Sequence, residues 1–180
     1  MRWYWIDRFL EFESGRYAKA VKNVPITEEY LLDHFPGYPL MPKSLITEGI
    51  AQTGGLLISE YGDFTEQVVL AKIPKARFFF EVTPGSQLVY TTTIEYIKKD
   101  GAVVSATSRV DGRLQAEMEI VFAHLNGQQG GSFEPKIFLQ MMRVLGAFEA
   151  GARETRQDTR SVPLWPAAAE PSAGRRFASA

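Results

Sequence analysis

The chain has 180 residues, of which 45% are hydrophobic and 23% charged, with a formal net charge of −1. This composition is ordinary for one soluble globular domain, and the balanced charge gives no reason to expect nucleic acid or an anionic membrane as a partner. Cysteine is absent, which excludes disulfides, a thiolate nucleophile and Cys-ligated metal, and fits a cytoplasmic location. No apolar run reaches the roughly 18 residues of a membrane-spanning helix, and the N-terminus lacks a signal-peptide pattern.

Two strands and a helical turn are predicted near the N-terminus. Residues 6–13 alternate imperfectly between apolar and polar side chains, Ser14-Gly15 marks a turn, and residues 17–24 form the returning strand. Pro25 ends that strand because proline cannot donate a backbone hydrogen bond. Thr27 is the candidate cap of the helical turn that follows.

A rigid, irregular loop and the central helix come next. Pro36, Gly37, Pro39 and Pro42 fix or free the backbone at four places within seven residues. The helix is predicted from about Pro42 to Ser59, and its apolar residues surround it as in a buried helix. It also contains glycines, each of which costs on the order of 1 kcal/mol in helix propensity. They indicate that another element approaches the helix closely.

From Glu66 onward the chain is predicted to be mostly strand, with breaks at prolines and at two Asp-Gly hairpin signals. The predicted strands cover residues 67–73, 76–82, 87–97, 102–110 and 114–122. In the last of them Gln115 and two glutamates alternate with apolar residues, which places Gln115 on the solvent side. One helix with about six antiparallel strands is an α+β layout in which the sheet must curl around the helix.

Three parts are predicted along the chain: a domain over residues 1–126, a linker and helix over 127–148, and a tail over 149–180. Large apolar residues recur at helical spacing from about Glu134 to Phe148, which predicts an amphipathic helix. The tail is rich in alanine, arginine and proline without periodicity, so it is predicted to be mostly disordered.

Two titratable residues mark the candidate site. His34, one of two histidines, lies in the rigid loop, and a ring held in place that titrates near neutral pH suits a general base. Glu48 follows fourteen residues later on the helix predicted to be buried, where a carboxylate is costly unless it is paired or functional. Two interpretations of Glu48 stay open: an ion-pair partner of Lys43 or of an arginine on the sheet, or a proton donor that desolvation keeps protonated. Gln52, four residues further on the same helix face, can orient the carboxyl group.

The segment HFPGYPLMPKSLITEGIAQ, residues 34–52, resembles the active-site segment of the (3R)-hydroxyacyl-[acyl-carrier-protein] dehydratases of fatty acid synthesis. Their pattern has histidine, Phe-Pro-Gly, a further proline, Met-Pro-Gly and then Glu-Ala-x-Ala-Gln, with the same spacing from histidine to glutamate. The resemblance continues through KARFFFEVTPGSQL and GRLQAEMEIVFA and covers about residues 5–125. Asp33 and Lys43 stand where the family has glycine, and Gly49 stands where alanine is usual.

This resemblance implies the hot-dog fold, in which a sheet wraps a central helix, and a homodimer or a trimer of dimers. It implies that His34 removes the C2 proton of a 3-hydroxyacyl thioester and that Glu48 of the other protomer protonates the departing hydroxyl, with no metal and no cofactor. Backbone amides at the helix start and at Gly37 would stabilise the thioester oxygen. Lys43 has the same backbone N–H as the family glycine. Its side chain should therefore affect the substrate range more than the type of reaction. Together with Gln52, these residues form the implied substrate site.

The implied partner is an acyl carrier protein. Its phosphopantetheine arm would enter near Lys72, Lys75 and Arg77, which are otherwise an ordinary solvated face. Two alternatives stay open on the same fold: a thioesterase, against which the His-Phe-Pro-Gly turn argues, and a non-catalytic subunit that binds acyl carriers. His124 is interpreted as structural, and Phe78 to Phe80 as core and interface.

Overall fold

The computed structural model of the protein describes residues 4–125 and 135–151. These residues form β1 (Arg8–Glu13), β2 (Tyr17–Asn23), α1 (Tyr30–Asp33), α2 (Lys43–Tyr61), β3 (Gln67–Phe78), β4 (Gln87–Lys98), β5 (Gly101–Val110), β6 (Arg113–Leu125) and α3 (Pro135–Val144). The strands pair antiparallel in one sheet with the order β1-β2-β4-β5-β6-β3. Across the described residues, no helix is both long and apolar enough to span a membrane.

The sheet wraps around α2, which contacts β2, β3, β4 and β5. Ile46, Ile50 and Leu57 of α2 are almost completely buried against it. A Cβ at Gly54 would lie 3.4 Å from the side chains of Val104 and Phe122, so the small residues of α2 admit the sheet at close range, as predicted. The expected α+β hot-dog layout is confirmed.

The strand prediction is wrong around Pro74. The predicted strands 67–73 and 76–82 are one strand, β3, and residues 79–82 lie outside it. Within the chain β3 pairs with β6 on one side only, and edge strands and bulges are the places where a sheet tolerates proline. The register with β6 also shifts between Lys72 and Lys75, on either side of the proline.

The predicted helices differ from the observed ones mainly at their ends. α2 begins one residue after Pro42 and runs two residues beyond Ser59. The predicted cap at Thr27 is wrong, because α1 begins at Tyr30 with Glu29 in the N-cap position and no side-chain cap hydrogen bond.

α3 lies within the predicted C-terminal helix but ends at Val144. The chain then turns and runs beside β1, where the N–H of Phe9 donates to the carbonyl of Leu145 at 2.7 Å and the N–H of Phe12 to that of Ala150 at 2.9 Å. These bonds cover the edge of the sheet that β1 would otherwise present to solvent. The predicted tail lies outside the described residues from position 152 onward.

Candidate active site

His34 directly follows α1 and is held from both sides by backbone hydrogen bonds. Its N–H donates to the carbonyl of Tyr30 at 3.0 Å, and its carbonyl accepts from the N–H of Leu40 at 2.8 Å. The half-buried imidazole stacks on the ring of Phe35, with 4.3 Å between the ring centroids. The loop therefore holds the ring in one place.

The turn after His34 depends on Gly37. Phe35 and Tyr38 exchange two backbone hydrogen bonds of 3.0 and 2.8 Å, and Pro36 and Gly37 form the corner. Gly37 has φ +78°, a conformation that glycine adopts without steric cost. Its backbone is exposed and is not part of the His34 pocket. Gly37 thus shapes the turn, and its contact with substrate stays a prediction.

A pocket of about 280 Å³ opens beside the imidazole, between the turn, the start of α2 and the segment that follows β3. The polar and aromatic residues on its wall are His34, Phe35, Lys43, Ser44, Phe80, Glu81 and Gln115. At the start of α2, the carbonyl of Pro42 accepts from the N–H groups of Leu45 and Ile46 at 3.0 and 3.2 Å. The preceding N–H groups, those of Lys43 and Ser44, have no acceptor within the helix. The two residues that carry these N–H groups line the same pocket as His34.

The Lys43 side chain, which replaces a family glycine, is exposed and packs over an aromatic ring. Its ammonium lies 5.8 Å from the centroid of Phe78, within the range of a cation–π contact. The backbone N–H of Lys43 stays available at the helix start, as the sequence analysis expected.

Gln115 is a pocket residue that the sequence analysis placed on the wrong side of its strand. It is fully buried, and its Nε2 donates to the carbonyl of Phe80 at 2.9 Å. The register between β5 and β6 shifts at this point, because Ser108 pairs with Ala116 while Arg109 pairs with Leu114. Gln115 is the extra residue of this bulge, which turns its side chain inward. The regular alternation of apolar and polar residues in this part of the sequence does not reveal the bulge.

Glu48 lies on a stripe of α2 that the sheet leaves uncovered. Its side chain is exposed, so the predicted burial of this carboxylate is wrong for a single chain. Its Oε1 accepts from Nε2 of Gln52 at 3.0 Å, and Oε1 of Gln52 accepts from the N–H of Trp5 at 2.8 Å. Because a backbone N–H can only donate, Trp5 fixes the amide so that its NH₂ group faces Glu48. Gln52 therefore orients the carboxylate, as expected from the spacing.

The ion pair considered for Glu48 is not observed. Within the described part of the chain, Glu48 pairs with neither Lys43 nor an arginine of the sheet. The contacts of one protomer therefore do not support the interpretation of Glu48 as an ion-pair partner.

A second cavity, of about 270 Å³, opens beside Glu48. Its wall is mainly apolar and comes from four elements: Leu56 of α2, Val69 of β3, Phe122 of β6, and Phe138 and Met141 of α3. The contribution of α3 was not predicted. Helical spacing identified its apolar face, but the sequence does not say which surface that face covers.

His34 and Glu48 line different cavities of one chain. Both cavities adjoin β3. Residues 68–70, near the start of that strand, line the Glu48 cavity, whereas Phe80, just after its end, lines the His34 pocket. A single protomer therefore does not bring the predicted base and acid together.

Three of the remaining candidates, Lys75, Arg77 and His124, have partners within the chain. Lys75 pairs with Glu117 at 3.1 Å, and the guanidinium of Arg77 lies 4.9 Å from the ring centroid of Phe79; these contacts favour an ordinary solvated face. His124 Nδ1 lies 3.2 Å from a carboxylate oxygen of Glu66, in agreement with a structural role. Among residues 4–125 and 135–151, no cluster of three His, Asp or Glu side chains could hold a metal ion.

A sequence model of the FabA-like domain matches residues 3–124. The chain is also 44% identical to 3-hydroxyacyl-[acyl-carrier-protein] dehydratase FabZ of Streptococcus pyogenes over 121 residues, which are 66% of this chain and 85% of that protein. The chain belongs to this dehydratase family. The resemblance inferred from residues 34–52 is confirmed, and with it the hydro-lyase class.

Solved structures with the same fold include proteins of different activity. The dehydratase heterocomplex ApeI:P of Xenorhabdus doucetiae matches with a TM-score of 0.51 at 18% identity, over 63% of this chain and 92% of that chain. A mutant thioesterase of Pseudomonas aeruginosa matches with a TM-score of 0.54 at 14% identity, over 66% and 80%. Because a dehydratase and a thioesterase share it, the fold alone does not decide between the two reactions.

Proposed function

We propose that the protein dehydrates 3-hydroxyacyl thioesters carried on an acyl carrier protein to trans-2-enoyl thioesters, in fatty acid synthesis or a related lipid or polyketide pathway. His34 takes the C2 proton, the C2–H electrons form the double bond to C3, and the C3–O bond breaks. Glu48 of the partner subunit protonates the departing hydroxyl, which leaves as water. Each of the two proton transfers is worth about 10²–10⁴ in rate.

The C2 proton is acidic only if the charge that develops on the thioester oxygen is stabilised. The N–H groups of Lys43 and Ser44 are suited to this role, since both residues line the His34 pocket and their N–H groups have no acceptor within α2. Loss of one such donor typically costs about 10²–10³ in rate. Their position at the positive end of a 19-residue helix adds to the stabilisation.

A site shared by two protomers is supported by the position of β3, which lies at the edge of the sheet with one cavity near each of its ends. β3 is a 12-residue edge strand, and such an edge is available for pairing with a second copy. In an antiparallel β3–β3 pair about a two-fold axis, the start of one strand lies beside the end of the other. The Glu48 cavity of one protomer would then adjoin the His34 pocket of the other. We therefore propose a homodimer as the smallest active unit, with a trimer of dimers as a further assembly.

Product analysis tests the reaction. Incubation with a 3-hydroxyacyl-carrier thioester should raise enoyl absorbance and release no free thiol. His34→Ala should lower the rate of enoyl formation by about 10²–10⁴, while His124→Gln, which changes the other histidine, should leave the rate near that of the wild type.

Free thiol without enoyl product would identify a thioesterase. Tight binding of the acyl carrier without either product would identify a non-catalytic subunit. A His34→Ala variant as active as the wild type would overturn the assignment of the base.

A further inference from the structure

The cavity beside Glu48 has one wall that lies outside the family match. That match ends at residue 124, whereas α3 begins at Pro135. Phe138 and Met141 of α3 nevertheless line the same cavity as Glu48 and Gln52. The extension of this chain therefore contributes to the space next to the proposed catalytic acid.

α3 is a fixed part of the molecule. Met141, Met142 and Leu145 are at most 6% exposed and belong to the main hydrophobic core. The segment after α3 is tied to β1 through the two hydrogen bonds from Phe9 and Phe12. A ligand in the cavity consequently meets a packed wall.

The chemistry of the cavity fits an acyl chain. Leu56, Val69 and Phe122 line it together with the two α3 side chains, and its polar lining residues are Glu48, Gln52 and Ser59. Its volume of about 270 Å³ is below the roughly 300–1,000 Å³ of most small-molecule sites.

We infer that α3 closes the acyl cavity and limits the enzyme to thioesters of short acyl chains, with Phe138 and Met141 as specificity-determining residues. The effect of α3 on substrate choice rests on the proposed dehydration. The part of the cavity that one protomer supplies is about 270 Å³ and is bounded by Phe138 and Met141, so a short chain would fill it and bury its methylenes, whereas a long chain would run against these two side chains.

Chain-length preference tests the inference in the full-length protein. The wild type should show a higher kcat/KM for 3-hydroxybutyryl-carrier than for 3-hydroxydecanoyl-carrier. Phe138→Ala removes the ring from the wall, and each methylene that then becomes buried is worth about fourfold in affinity. The decanoyl to butyryl ratio of kcat/KM should rise by about tenfold or more, and Met141→Ala should shift it in the same direction.

Two further variants make the test specific. Gly55 also lines the cavity, and a Cβ there would meet the edge of the Phe122 ring at 3.4 Å. Gly55→Ala should therefore narrow the cavity without disturbing α2 and should lower the same ratio. Ile137→Ala, next to Phe138 but 57% exposed, should leave the ratio unchanged. An unchanged ratio in Phe138→Ala, Met141→Ala and Gly55→Ala would overturn the inference while enoyl formation continues.

A binding measurement separates failure of the inference from failure of the proposed reaction. S-alkyl pantetheine thioethers with butyl and decyl chains cannot be dehydrated or hydrolysed, so their dissociation constants report the cavity alone. A decyl affinity that improves in Phe138→Ala supports the cavity assignment even if no enoyl product forms. Equal decyl affinities in the wild type, Phe138→Ala and Met141→Ala contradict it whatever the reaction is.

Discussion

At the scale of single residues, Gly49 is the glycine of α2 where an added side chain would meet the closest contacts. A Cβ there would lie 2.6 Å from Cε2 of Tyr90 and 2.8 Å from the backbone oxygen of Trp5. Where the family pattern has alanine, the Tyr90 ring occupies the space of the methyl group. The ring is completely buried, and this burial raises the pKa of the Tyr90 hydroxyl. The departure at Gly49 is thus a packing change beside the Trp5–Gln52–Glu48 hydrogen bonds.

In Gly49→Ala the ring and the backbone of Trp5 have to move, which costs about 1–3 kcal/mol. The gain of about 1 kcal/mol that alanine normally brings to a helix interior offsets part of this cost, so the variant should be less stable than the wild type by up to about 2 kcal/mol. Urea unfolding measures the difference. Gly55→Ala, on the same helix but with only a 3.4 Å contact to Phe122, is the matched control and should be as stable as the wild type or more so. Equal stability of the two variants would contradict the packing argument.

At the scale of elements, the segment that carries His34 is anchored through a buried lysine of β2. Lys22 is 2% exposed and lies 3.0 Å from Glu28, which precedes α1, and 3.3 Å from Asp7. Breaking a buried ion pair costs roughly 3–5 kcal/mol, so Lys22→Met should lower the free energy of unfolding by about this amount. Because α1 leads directly to His34, kcat should fall as well.

Chemical denaturation together with steady-state kinetics checks this prediction. Lys19→Met is the control, since Lys19 belongs to the same strand but pairs with Glu11, whose side chain is 46% exposed; it should change neither quantity appreciably. Loss of stability in both variants to the same extent would mean that burial of Lys22 is not the cause.

The sequence predicts the elements of this fold better than their irregularities. Residue patterns identified the buried helix, the hairpins and the amphipathic α3, because burial on one face imposes a period on the chain. The pattern predicts a strand end at Pro74 because it does not show that β3 is an edge strand. It predicts an outward Gln115 because one extra residue in β6 reverses the alternation. Both outcomes depend on which strands are neighbours, which local periodicity does not encode.

At the scale of the whole molecule, the sequence predicts two site residues but not the cavities that they line. His34 lies in the rigid loop and Glu48 on α2, as predicted, and their catalytic roles stay a prediction. The exposed Glu48 and the two separate cavities of one chain depend on long-range packing. In the proposed homodimer the partner subunit would cover the Glu48 carboxylate. The desolvation of Glu48 considered from the sequence would therefore require the dimer.

Subunit complementation tests whether the base and the acid come from different protomers. His34→Ala and Glu48→Gln should each be nearly inactive, and mixing them under conditions that allow subunit exchange should restore about one quarter of the wild-type activity. Random exchange makes half of the dimers mixed, and each mixed dimer has one intact site out of two. Enoyl formation before and after exchange provides the measurement.

Mixing His34→Ala with the double variant His34→Ala/Glu48→Gln should restore nothing, because no mixed dimer then contains a base. If the first mixture also stays inactive although exchange has occurred, both groups must act within one chain, and the β3-paired site is wrong.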